Sequence, residues 1–128
     1  MIALDSSILI DLEKQRPRAL HAMSKLNIQN RPLAIPSVVY SEIYYGSLNK
    51  GKKKQQEMLD YLDSFDLLNT SRNSSIILSK LRQNSYSKGI PIPDMDLLIA
   101  SIVMSNGGTL ITRDEHFKEI EGLDIIVI

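Results

Sequence analysis

Short apolar runs alternate along this chain with longer stretches whose apolar residues recur every three or four positions. The runs Met1 to Leu4, Leu33 to Ile35, Phe65 to Leu68, Thr109 to Thr112 and Ile125 to Ile128 predict five short, buried strands. Helical spacing follows each of the first four. Ser6 and Ser7 are placed to cap a helix carrying Ile8, Leu9, Ile10 and Leu12, and Pro17 opens a second with Leu20, Met23 and Leu26. Arg31-Pro32 breaks the chain before the next strand. Ser37 opens a helix to about Leu48, and another is predicted from about Gln55 to Leu62. A long helix spans about Ser74 to Ser87 and ends at Gly89; the prolines after it keep Ile90 to Pro93 extended. Asp94 is placed to cap a strongly apolar helix, ended by Asn106-Gly107-Gly108, and a short helix is expected from Asp114 to Ile120.

Helices alternating with short apolar strands predict one three-layer α/β/α domain over residues 1–128, its central sheet mostly parallel. Such folds place ligands at the carboxyl ends of their strands. Four acids fall at or near that edge. Asp5 ends the first strand, Glu42 interrupts an apolar helix, Asp96 lies in the first turn of the helix after Pro93, and Asp114 follows the fourth strand. Each has an ordinary reading as a cap or a surface acid. Together they are harder to explain so, because clustered carboxylates repel unless cations hold them. Oxygen ligands without Cys or His favour Mg²⁺, with Mn²⁺ able to substitute. Such ions polarise a phosphoryl oxygen and steady a leaving oxygen, which points to phosphate chemistry. Ser7 and Thr112 are placed to support the ligands from behind. Asp94 is assigned to the same supporting set and, first, to the helix cap.

Composition narrows the picture. There is no cysteine, which excludes disulfides, thiolate catalysis and cysteine-based zinc sites. Lys plus Arg and Asp plus Glu both number 15, so bulk positive charge cannot hold a nucleic acid and local patches must. Arg113, beside the predicted edge, is the cation best placed for a substrate phosphate. The run Lys50 to Lys54 reads as a solvated loop with a smaller share in binding. The opening MIALD places an acid before any signal-peptide run, and no apolar stretch reaches membrane-span length, so a soluble cytoplasmic protein is expected.

Three stretches carry a family resemblance that runs from Met1 to Ile128. IALDSSILIDL resembles the first-strand motif of the PIN-domain ribonucleases, and specifically of the VapC-type toxins, with Asp5 as its first acid. IPSVVYSEIYYG resembles the helix that supplies the second acid, Glu42. IPDMDLLIASIVMSNGGTLITRDEHF resembles the most specific stretch, where Asp96 and Asp114 match the remaining acids. Ser6 stands where Thr is usual, and His116 where many members carry Asp. The resemblance implies a Mg²⁺-dependent endoribonuclease acting on RNA, a homodimer, and a small antitoxin that occupies the acidic pocket, often with an Arg.

Two other classes fit the residues less well. A phosphoacceptor receiver domain needs paired acids at the first strand, and an aspartyl-phosphate phosphatase needs Asp-x-Asp; here Asp5 is followed by two serines. A non-catalytic PIN-like interaction module would lack a metal site, and a solitary PIN enzyme of RNA processing would lack the antitoxin. Tyr40, Tyr44 and Tyr45 could stack a base but sit at core or interface spacing. His21 reads as a surface residue.

Overall fold

A computed structural model describes residues 1–26 and 32–128. Arg31 of the expected break lies outside the described residues. Five parallel strands form one sheet in the order β3-β2-β1-β4-β5: β1 Ile2–Leu4, β2 Leu33–Pro36, β3 Asp66–Leu68, β4 Thr109–Thr112 and β5 Asp124–Val127. The mostly parallel sheet of the sequence is thus wholly parallel. Its central strands are apolar because both faces are covered. Ile2, Ala3, Leu4, Ala34, Ile35, Leu110 and Ile111 are all buried.

Six α-helices are present among the described residues: α1 Ser6–Glu13, α2 Pro17–Lys25, α3 Ser37–Ser47, α4 Lys52–Leu62, α5 Arg72–Ser87 and α6 Asp94–Ser105. Right-handed crossovers put α1 to α4 on one face and α5 and α6 on the other. Within each set α1 touches α2 and α3, α3 touches α4, and α5 packs on α6, while α3 and α6 also touch each other. Strand order reverses direction at β1, so the crevice between the carboxyl ends of β1 and β4 is the switch point where such sheets bind ligands. Helices α1 and α3 leave the sheet at this edge. Helix α6 starts there too, because it runs down to meet the opposite end of β4.

Local details differ from the sequence expectation in ways that matter to the site. Helix α1 is capped by Asp5, whose Oδ1 accepts from the Ser6 N–H at 2.7 Å; Ser6 and Ser7 lie inside the helix. Asp94 is likewise inside α6, whose cap residue is Pro93 with no side-chain bond. Pro93 takes that place because proline favours extended geometry and leaves the carbonyl free to accept from Leu97. Helix α4 starts at Lys52, so Lys52, Lys53 and Lys54 form its first turn and are not a loop. The segment after β4 is a 3-10 turn, Glu115–Glu119, with Asp114 as its cap. In α2, Ala19 is the buried position and Leu20 is exposed. His21 is exposed, as expected. Tyr40 donates to Asp63 at 2.7 Å and Tyr44 packs partly on the core, while Tyr45 stands in solvent.

The turn from α6 into β4 fixes where α6 begins at the other end. Gly107 adopts φ 63°, the left-handed conformation that ends the helix, and its N–H reaches the Met104 carbonyl. Gly107→Ala is expected to lower stability by about 1 kcal/mol. Thermal melting checks this, and an unchanged midpoint would show that the turn tolerates a side chain.

Candidate active site

Strand pairing continues one residue past β1, where the Asp5 N–H donates to the Ile111 carbonyl at 3.1 Å. The Asp5 carboxylate is buried, 6% exposed, and therefore needs partners. Thr112, fully buried at the end of β4, donates its hydroxyl to Asp5 Oδ2 at 2.7 Å. Ser7 approaches the same oxygen at 3.4 Å and the Ser6 N–H holds the other. Thr112 Oγ1 in turn accepts the Asp114 N–H at 3.0 Å. A single buried hydroxyl thus ties the first acid to the backbone of the fourth.

Glu42 and Asp96 complete the cluster electrostatically. The Glu42 carboxyl is raised above its ordinary value, first by desolvation, then by the charges of Asp5 and Asp96, while Ser6 works the other way. Glu42 keeps contact with solvent, and the charges of Asp5 and Asp96 add to the effect of desolvation there. Asp96 is raised first by desolvation, then by Asp114 and Asp5, with His116 opposing. The end of β1, α3, α6 and the turn after β4 thus bring the four acids to the switch point, with Asp5 acting on Glu42 and Asp96, and Asp114 acting on Asp96. Asp5 caps α1 and Asp96 sits in the first turn of α6, so the positive ends of two helix dipoles face the same charge.

The remaining expected residues divide. Ser7 and Thr112 touch Asp5 as described. Asp94 does not support the acids: its two oxygens take the guanidinium of Arg82 at 3.0 and 3.3 Å on the surface between α5 and α6. Arg113 borders the cluster, and its Nε lies 3.2 Å from Asp11 Oδ2. His116 is closer to the site than its isolation in sequence suggests. Its Nδ1 and its N–H both lie 2.9 Å from Asp114 Oδ1. Asp11 is the residue that sequence reasoning missed. It is 5% exposed and is also approached by Arg16 Nε at 3.4 Å. The sequence does carry a signal for it. Asp11 stands three residues after Ile8 and four after Ser7, on the face of α1 that Ile8 buries.

These donors fit a hard divalent cation. The cluster is built from carboxylate oxygens, backed by hydroxyls, and its own repulsion calls for a counter-charge. Among the described residues no three acids or histidines already surround one point at ligand distance. Grooves leave the cluster on two sides. One of about 280 Å³ runs between Ile90, Pro91, Ile92 and Pro93 and the side chains of Asp96, Asp114 and His116. The other, about 470 Å³ and open, is lined by Ser7, Arg18, Arg113, Asp114 and Ile128.

Comparison with known proteins gives this geometry a family. The sequence profile of the PIN domain matches residues 2–123. The chain belongs to the PIN-domain family. Within it the kinship is with the VapC group: ribonuclease VapC2 of Rickettsia felis is 32% identical over 123 residues, covering 94% of this chain and 92% of that protein. The crystal structure of VapBC2 from Rickettsia felis, bound to a DNA fragment from its promoter, superposes with a TM-score of 0.86 at 29% identity, over 100% of this chain and 99% of the other. VapBC-1 from nontypeable Haemophilus influenzae shares the fold, with a TM-score of 0.85 at 23% identity over 99% and 98% of the two chains. No described helix is long and apolar enough to cross a membrane.

Proposed function

We propose that this PIN domain is a Mg²⁺-dependent endoribonuclease that hydrolyses RNA phosphodiester bonds as the toxin of a toxin–antitoxin pair. The observation that carries the catalytic part is the gathering of Asp5, Glu42, Asp96 and Asp114 at the switch point of the sheet, where the Thr112 hydroxyl ties Asp5 to the backbone of Asp114 and the Asp5 charge raises both Glu42 and Asp96. The likeness to ribonuclease VapC2 supports RNA as the substrate, and the likeness to a VapBC complex supports a small antitoxin partner. A cytoplasmic homodimer with Mn²⁺ able to replace Mg²⁺ completes the reading.

Asp5, Glu42, Asp96 and Asp114 would hold the ion. A divalent cation there supplies Lewis-acid polarisation of the phosphate and acidification of water. The residues of the chain do the rest. Thr112, Ser7 and the Ser6 N–H fix the Asp5 carboxylate, so that it is oriented before any ligand arrives. His116 is held against Asp114 at the mouth of the Pro91–Pro93 groove, within reach of a leaving oxygen that passes there. Arg113 offers a fork of N–H donors to a substrate phosphate.

Purified protein is expected to cut single-stranded RNA internally with Mg²⁺ or Mn²⁺ and to stop when EDTA is added. Isothermal titration should detect the ion. A protein that binds neither metal supports the non-catalytic interaction module and overturns this reading. One that cleaves RNA, but whose expression leaves growth unaffected, is a solitary RNA-processing enzyme.

A further inference from the structure

Helix α1 grips residue Arg113 at two points along one face. Ser7 and Asp11 lie four residues apart and so share that face. Ser7 Oγ accepts the Arg113 backbone N–H at 3.3 Å, and Asp11 Oδ2 takes the side-chain Nε at 3.2 Å. Arg113 itself stands between Thr112, bonded to Asp5, and Asp114, an acid of the cluster. The Asp11 carboxylate is buried between two guanidinium groups. Asp11 is 5% exposed, and its Oδ1 has no hydrogen-bond partner although Arg16 Nε is 3.4 Å away. A buried carboxylate satisfied in this partial way is a weak source of stability, since apolar side chains of similar volume commonly do as well or better. Its effect is to fix a guanidinium beside the metal-type cluster. The pair engages Nε, and a guanidinium carries five N–H donors, so the terminal nitrogens remain for another acceptor. Arg113 and Arg18 line the open groove that starts at Asp114, so the acidic pocket continues into a cationic trough.

We propose that Asp11 is a positioning residue, which holds Arg113 so that Arg113 and Arg18 bind the backbone phosphates of a single-stranded RNA flanking the bond to be cut. The proposal rests on the ribonuclease reading. Asp11 touches no substrate and acts through Arg113, whereas Arg113 meets a phosphate directly. Charge-assisted hydrogen bonds of this kind contribute about tenfold or more in affinity.

The test is single-turnover cleavage of a short fluorescent single-stranded RNA with Mg²⁺, read as the half-saturating protein concentration and the saturating rate over a range of salt. Arg113→Ala and Asp11→Asn should each raise the half-saturating concentration by about tenfold, more than they lower the saturating rate. The slope of log affinity against log salt should become shallower by about 0.7, the share of one phosphate that Arg113 no longer neutralises. The double variant should be no worse than Arg113→Ala alone, because Asp11 works through Arg113. Asp11→Glu, which keeps the charge, should recover part of the affinity, and thermal melting reports whether each variant folds. An Asp11→Asn effect of equal size in the Arg113→Ala background makes Asp11 merely structural and overturns the proposal. An unchanged salt slope in Arg113→Ala overturns it as well. Wild-type protein that cleaves while these variants behave like it sinks the trough alone; wild-type protein that never cleaves RNA sinks the ribonuclease reading and the trough together.

Discussion

Asp96→Asn is expected to lower RNA cleavage at saturating Mg²⁺ on the order of a thousandfold, and at the same time to make the metal-free protein more stable at neutral pH. The loss of activity follows from removing one charge from a cluster whose task is to hold a cation and stabilise charge in the reaction. The gain in stability follows from the direction of the Asp96 shift. Its carboxyl is raised in the folded chain by desolvation first and by Asp114 and Asp5 next. A raised acid favours folding while it is protonated, below its unfolded value near 4. That contribution disappears as pH rises through the folded value, so at pH 7 the ionised Asp96 opposes folding. Asparagine removes the opposition. The side chain is only partly buried, and solvent screening keeps the effect to about 0.5–1 kcal/mol, or roughly 2–5 °C in Tm. Melting curves at pH 7 and near pH 3.5, in EDTA, measure it. The variant should melt above wild type at the higher pH and converge with it at the lower. A variant that melts lower at pH 7, or that still cleaves RNA, contradicts the role assigned to Asp96.

Thr112→Val should weaken Mg²⁺ binding by about 10–100-fold and reduce stability by about 1–3 kcal/mol. Valine has nearly the shape of threonine, so packing is preserved and the hydroxyl alone is removed. That hydroxyl donates to Asp5 Oδ2 at 2.7 Å and accepts the Asp114 N–H at 3.0 Å, with no exposed surface through which water could take its place. The variant leaves a buried carboxylate oxygen short of a donor and frees the acid after β4 to turn. Thr112→Ser keeps the hydroxyl and should retain most of both properties. Mg²⁺ titration of a Thr112→Val protein that matches wild type would falsify the view that Thr112 sets the geometry of the acids.

The parts of this protein that are legible in the sequence are those governed by local spacing. Burial on both faces makes the strands continuous apolar runs, and Ile2–Leu4, Leu33–Pro36 and Thr109–Thr112 appear within a residue of their expected bounds. The acids Asp5 and Asp96 stand beside such runs, and their motifs carry the family resemblance that the match over residues 2–123 bears out. Departures gather at helix starts. Asp5, and not Ser6 or Ser7, caps α1, because the residue that ends a strand at this edge is also the residue that turns into the helix. Asp94 is drawn to Arg82, twelve residues back, by packing of α5 on α6 that no local pattern encodes.

Taken by itself, the sequence determined the order of strands and helices, the absence of thiol chemistry, and a set of acids spaced to meet at one edge. Periodicity and composition are properties of neighbouring residues, so a chain read in order exposes them. Only the tertiary structure decided which charges face one another. Parallel pairing of β1 with β4 brings Thr112 to Asp5 across 107 residues, and the return of the chain beside α1 brings Arg113 to Asp11. Electrostatic energy depends on distance and burial in space, not on separation along the chain. Asp11, which no motif in the sequence singles out, therefore becomes, once folded, a buried anion that holds an arginine at the edge of the site.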